Sequence, residues 1–241
     1  MNYQKLFNSS QVHEAAHTMC ELAKVCWDLQ LSDSTGFSIS HKITDNIVLT
    51  DKTGTGFRRN KIFPKDLILI DLNANFIYSS DVSDTRKAPV NVVIYLEGYK
   101  KSSAQSCIHW HDPFTNAFSC LGLPIEPFTL QSKLIGKVEC VLINDREEKE
   151  KNAENIMQIS VPNGLHGRRD VFWVMKKVGE DVGHILKKRN DEFKKHGIVV
   201  THFEHGLFSF GRNLDEAFDN GYRSVRNAQT IVYSRLLQPK P

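Results

Sequence analysis

His109-Trp110-His111 sets two imidazoles one residue apart at the end of an apolar run. Side chains of a strand alternate between faces, so both histidines project to the same side and can offer two ring nitrogens to one metal ion. Ten histidines in 241 residues make chance pairs easy, so the pair gains meaning only from a third ligand. His205-Gly206 lies just beyond the β-branched run Ile198 to Phe203 and before Leu207 to Gly211, where two strands could meet. Three histidines that leave one coordination position open are the donor set of a catalytic zinc site, which polarises a carbonyl or activates water.

Other residues invite chemistry and have plainer readings. Cys107 shares the strand face of His109 and His111 but starts deeper, which suits packing beneath the site. His202 stands three residues before His205, so on a continuous strand it points to the opposite side and reads as a core or interface histidine. His166 and Arg168-Arg169, in the loop before a long helix, could meet an anionic substrate or stand in solvent. In the loop Thr50 to Gly56, Gly54 and Gly56 permit close backbone approach to a ligand.

The elements that must hold these residues follow from periodicity. Between Gln11 and Leu31, Val12, Ala15, Ala16, Met19, Leu22, Ala23, Cys26 and Trp27 recur at helical spacing, with Ser9 or Ser10 as N-cap. Short extended runs follow at Gly36 to His41, Ile47 to Thr50, Leu67 to Leu72 and Phe76 to Tyr78, at meander spacing. A helix is predicted after Pro89 through Tyr99, then a strand from Gln105 to His111 and a short helix opening at Pro113. Val138 to Ile143 and Ile156 to Val161 read as strands, and the charge-dense 144–154 between them as a solvated hairpin loop or a short exposed helix. Asp170 to Asn190 is a long amphipathic helix, Ile198 to Phe203 a strand, and a last helix capped near Asn213 runs to about Leu237, where Pro239 stops it.

Composition narrows the function classes. The chain is 40% hydrophobic and 24% charged, the balance of a globular protein, and its length suits one domain spanning 1–241. A formal net charge of +3 with scattered basic residues gives no footprint for nucleic acid. No apolar stretch approaches the roughly 18 residues of a membrane helix, and the first ten residues lack the pattern of a signal peptide, so the expectation is a cytoplasmic protein with no membrane partner. Five cysteines, odd in number and without a Cys-x-x-Cys pair, read as thiols in a reducing compartment.

The ordered pattern His109-Trp110-His111-Asp112-Pro113, a long helix, a strand, His205-Gly206-Leu207-Phe208-Ser209-Phe210-Gly211 and Leu214-Asp215-Glu216-Ala217 resembles the class II aldolase/adducin family. Upstream, Gly36-Phe37-Ser38-Ile39-Ser40, Leu49-Thr50, Thr53-Gly54 and the run Lys65 to Leu72 fit the same resemblance. It implies a three-layer α/β/α fold with a central, mostly antiparallel sheet. It also implies zinc or another divalent metal on His109, His111 and His205, a small-molecule substrate, and a homo-oligomer, a tetramer with the site at a subunit boundary.

The resemblance fails where the family reads Ser-Ser-Glu, with two phosphate-holding serines and a glutamate base, because this chain has Val90-Asn91-Val92. Valine cannot move a proton. Phe37 stands where the family has a phosphate-contacting asparagine, and Phe128 where it has a tyrosine. Thr53, Gly54 and Asn91 remain as substrate-binding candidates, with Lys52 beside them. Glu126 and Glu97 are the candidate catalytic carboxylates, with Glu204 behind them. The expected function is a lyase-like enzyme acting on a small carbonyl or hydroxy-carbonyl compound, and the alternative is a catalytically degenerate, adducin-head-like interaction module.

Overall fold

The computed structural model describes residues 2–32, 36–53, 62–81 and 83–237, so Gly54 lies outside the described residues. Two helices open the chain, α1 (Tyr3–Phe7) and α2 (Ser10–Asp28). Ser9 is the α2 cap, its side chain accepting from the Val12 amide, and Val12, Ala15, Ala16, Met19, Leu22, Ala23 and Cys26 form the buried stripe. The meander is β1 (Phe37–Thr44), β2 (Ile47–Asp51), β3 (Leu67–Asp71) and β4 (Phe76–Ser79). Then come β5 (Ala88–Pro89), α3 (Val92–Lys101), β6 (Ser106–Trp110), α4 (Pro113–Ser119), α5 (Leu130–Lys133) and β7 (Glu139–Val141). The chain continues through α6 (Asp145–Lys151), α7 (Ala153–Gln158), β8 (Leu165–His166), α8 (Arg169–Lys188), β9 (Ile198–His202), β10 (Leu207–Gly211) and α9 (Leu214–Leu237).

The main sheet runs β4-β3-β2-β1-β6-β10-β9-β7. Every neighbour in it is antiparallel except β7, which joins β9 in parallel. Alternation along the strands builds two cores, one on each face. Ile39, Leu49, Ile108, Trp110 and Leu207 pack with α2 and α9, whereas Val48, Ile70, Cys107, Phe208 and Phe210 pack with α3 and α8. This is the expected α/β/α architecture. Among the described residues, no helix is long and apolar enough to cross a membrane.

One expected strand is a helix. The apolar residues of Ile156 to Val161 suggest a strand, yet α7 covers Ala153–Gln158 and Met157 is exposed. A short apolar run does not separate strand from helix by periodicity, and here only one side of the segment is covered, by α8. The charged stretch before it becomes α6, the helical one of its two expected forms. Asn144 caps it, accepting from the amides of Arg146 and Glu147, and the Trp173 indole N–H donates to Glu148 Oε1 at 3.1 Å. That bond docks the charged helix onto α8.

Close packing of α9 on the sheet depends on Gly221, where an added Cβ would meet Trp110 Cη2 at 2.5 Å and Cζ2 at 2.7 Å. Overpacking a buried contact costs about 1–3 kcal/mol. Gly221→Ala is therefore expected to lower the unfolding free energy in urea by that much, and an unchanged value would mean that the indole yields freely.

Candidate metal centre and its cavity

β6 is the central strand on which the site is built. Its register pairs His109 with Ser38 on β1 and with Phe208 on β10, so the imidazole stands on the face covered by α3 and α8. The His109 ring is 2% exposed and stacks on Phe208, with centroids 4.3 Å apart and planes 16° from parallel. Its Nδ1 lies 2.8 Å from the Leu207 carbonyl oxygen. A carbonyl only accepts, so Nδ1 carries the proton and the Nε2 lone pair faces outward. Burial, reinforced by His111 and His205 nearby, holds the imidazolium of His109 well below its ordinary pKa, so the ring is a neutral donor.

His111 follows the strand end, and its Nε2 lies 3.0 Å from His109 Nε2. His205 comes from the four-residue turn between β9 and β10, with its ring 5.1 Å from His109 and nearly parallel to it. Glu204 in this turn has φ 53°, a left-handed conformation that turns the chain before His205. One nitrogen from each of the three histidines lies within 4.8 Å of the others. A tetrahedral ion at about 2.0–2.1 Å from each would set the nitrogens roughly 3.3–3.4 Å apart, a spacing that lies between the 3.0 Å of the His109–His111 pair and the 4.8 Å within which all three converge. Three imidazoles, one with its tautomer fixed by a backbone carbonyl, fit a divalent cation by donor chemistry as well.

Gly206 explains the His-Gly pairing. A Cβ there would collide with His111 Cδ2 and stand 2.7 Å from the Trp110 oxygen and 2.9 Å from His109 Cε1. Gly206→Ala should push both rings off position and lower metal affinity by about 10–100-fold, the range seen when support of a metal ligand is lost. Titration against a chromophoric chelator measures this, and wild-type affinity would show that the rings have room.

The histidines form the floor of a cavity of about 420 Å³, walled by Phe37, Ser38, Thr53, Val90, Asn91, His166, Arg168, Val171 and Met175. Thr53 and Asn91 thus reach it, although Asn91 also donates to the Tyr95 hydroxyl at 3.2 Å. Lys52 does not reach it. It is fully buried, and its ammonium binds Asp84 Oδ2 and the Lys65 oxygen, both at 2.9 Å. Val92 is also buried, away from the cavity lining. Cys107 is buried in the core below, where burial pushes its thiol well up, so it stays protonated.

The structure brings neither Glu97 nor Glu126 to the histidines. Glu97 faces the α8 side of α3, pairing with Lys100 at 2.8 Å and Lys101 at 3.8 Å. Glu126 is exposed and pairs with Lys137 at 2.8 Å. Glu204 is exposed on the turn and is absent from the main cavity lining. His202 does not turn away from His205 as strand alternation suggests, because the strand ends at His202 and the turn brings the two ring centroids to 5.3 Å.

The sequence reading missed Asp145, the one carboxylate among the described residues lining the cavity. It sits at the start of α6, in the stretch read as solvated. The only local signal is the Asn144-Asp145 helix start shortly after a strand.

The profile of the family described as Class II Aldolase and Adducin N-terminal domain matches residues 17–232. Solved structures with a similar fold include L-fuculose-1-phosphate aldolase from Thermus thermophilus, 17% identical with a TM-score of 0.67 over 94% of this chain and 98% of that one. YgbL from Escherichia coli is 19% identical, with a TM-score of 0.65 over 94% and 90%. L-fuculose 1-phosphate aldolase from Glaciozyma antarctica is 15% identical, with a TM-score of 0.60 over 97% and 79%. No curated protein sequence matches the chain.

Proposed function

Since this chain belongs to the class II aldolase and adducin family, we propose that it is a metal-dependent, lyase-like enzyme acting on a small carbonyl or hydroxy-carbonyl substrate, with zinc or another divalent ion on His109, His111 and His205. The observation that carries this reading is the convergence of three histidine nitrogens at the floor of a cavity large enough for a small metabolite. When bound, the ion supplies Lewis-acid polarisation of a carbonyl and stabilises the negative charge that develops on its oxygen.

The chain's own residues do the rest. His109 is held by Leu207 and Phe208, so its donor atom is aimed before any ligand arrives. Phe37, Val90, Val171 and Met175 line the wall and exclude water from the reacting atoms, while Thr53 and Asn91 offer hydrogen bonds to substrate oxygens. Arg168 and His166 stand at the same cavity, Arg168 with its guanidinium paired to Asp170 at 2.7 Å.

Glycolohydroxamate, an anionic mimic of an enediolate, is expected to bind metal-loaded protein in calorimetry and to ignore the metal-free form. Equal binding to both would remove the carbonyl-site reading and favour the interaction module. Aldol cleavage of fuculose 1-phosphate should be weak, because Val90-Asn91 stands where the resemblance places the phosphate-binding serines and Val92 leaves no base at the family's position. Assay in the synthetic direction, with dihydroxyacetone phosphate and L-lactaldehyde, checks this, and turnover at ordinary aldolase rates would contradict it.

A homo-oligomer, a tetramer by family resemblance, is part of the proposal. Leu121, Leu130 and Leu134 are 71%, 73% and 61% exposed on one stretch of chain, more apolar surface than an isolated protomer readily keeps in water. Light scattering at micromolar concentration should give a multiple of 27.5 kDa, and a monomer would refute it.

A further inference from the structure

We propose that Asp145 is the acid–base carboxylate of this cavity, taking a proton from the carbon beside the substrate carbonyl and returning it later. The inference rests on the carbonyl-site reading above. β7 pairs in parallel with β9, matching Val141 to His202, so the chain leaving β7 emerges beside the turn that carries His205. Asn144 caps α6 and fixes Asp145 as its first residue.

There Asp145 lines the cavity together with His109, His111 and His205, and a smaller recess with Phe203, Glu204 and His205. Its Oδ1 is sealed from solvent without a hydrogen-bond partner, 3.5 Å from His202 Nε2, while the side chain as a whole is 42% exposed. His202 Nε2 lies 3.0 Å from the Ile143 carbonyl and gives its proton to that oxygen. His202 therefore stands beside that oxygen without a hydrogen bond to it, and part of the side chain stays exposed. A buried, unsatisfied carboxylate oxygen is costly to keep, and a site that transfers protons is where such a group has a use.

The step balances without a further reactant. The α C–H bond breaks and its electron pair forms the C–C π bond, while the carbonyl π pair moves onto oxygen and the proton goes to the Asp145 carboxylate. Returning that proton to the same carbon restores the substrate, with solvent exchange of the proton; alternatively the enolate oxygen pair re-forms the carbonyl as the enolate π pair expels a β hydroxyl, which takes the Asp145 proton and leaves as water.

The test uses metal-loaded wild type, Asp145→Asn and Asp145→Ala, with dihydroxyacetone in D₂O as probe. Asp145→Asn is expected to keep the metal content, thermal midpoint and glycolohydroxamate affinity of wild type while losing C–H exchange, followed by proton NMR, by about 10²–10⁴-fold. Added formate should restore part of the exchange to Asp145→Ala, which a merely structural role would not allow. Wild-type exchange rates in Asp145→Asn, or loss of exchange in His166→Gln instead, overturns the assignment alone. Wild type that neither exchanges dihydroxyacetone nor binds glycolohydroxamate overturns the carbonyl-site reading and the assignment with it.

Discussion

His205→Ala protein, dialysed against a zinc buffer, is expected to retain far less than one zinc per chain, whereas wild type retains about one. His205 supplies one of only three histidine nitrogens that converge among the described residues, and two imidazoles on one strand end make a weak site. Loss of an outer-shell partner alone costs about 10–100-fold in affinity, and loss of a direct ligand should exceed that. The half-buried ring lies on a turn, so metal-free wild type and variant should melt together. His202→Ala is the informative contrast: its ring is buried 5.3 Å from His205 but outside the convergent set, so stability should drop while zinc stays. Full zinc in His205→Ala would end the assignment of the triad.

Asp84→Ala is expected to destabilise the protein by about 3–5 kcal/mol in urea at pH 7, the usual cost of stranding a buried charge by removing its partner. The Lys52 ammonium is fully buried and bound to Asp84. Arg86 joins Asp84 to Asp66, at 2.6 Å on each side, and the backbone of Lys52 bonds to the Asp66 oxygen at 2.8 Å. The network ends at Thr53, whose amide donates to the Lys87 oxygen at 2.7 Å, so it also places a cavity residue. Hydrogen bonding from Arg86, with Lys52 adding to it, holds the Asp84 carboxyl far below its ordinary pKa. A carboxylate with a depressed folded-state value stabilises fully above its unfolded value of about 3.9 and loses that contribution as pH falls toward the folded one. The gap between wild type and Asp84→Ala should thus be level from about pH 5 to 8 and shrink below about 4. A gap under about 1 kcal/mol at neutral pH would mean that Lys52 finds another acceptor or solvent.

Helix α3 shows where local reading stops. Its bounds are legible from Pro89 and the apolar run, but Val92 stands in place of the family glutamate, and Glu97 is the acid that follows on the same helix. Glu97 is five residues on, about 500° of helical turn, which rotates it roughly 140° from Val92 and toward Lys100 and Lys101. Lys52 fails in a comparable way. It is the immediate neighbour of Thr53, and only Thr53 reaches the cavity, while Lys52 is drawn into the charges of a segment more than thirty residues away.

What the sequence determined by itself was therefore local or ordered along the chain. Strand alternation and a strand end put His109 and His111 together, helical spacing marked the faces of α2, α8 and α9, and the succession of motifs carried the α/β/α fold. Gly206 follows His205 because no side chain fits against the two other rings. Only the tertiary structure decided which carboxylate meets them. Asp145 and His205 are sixty residues apart, joined by the parallel pairing of β7 with β9, and nothing in the composition of a charged helix start specifies which distant strand end it will face. A periodic pattern fixes the face a side chain takes on its own element, whereas proximity across a sheet follows from strand order, which is set by packing of the whole core.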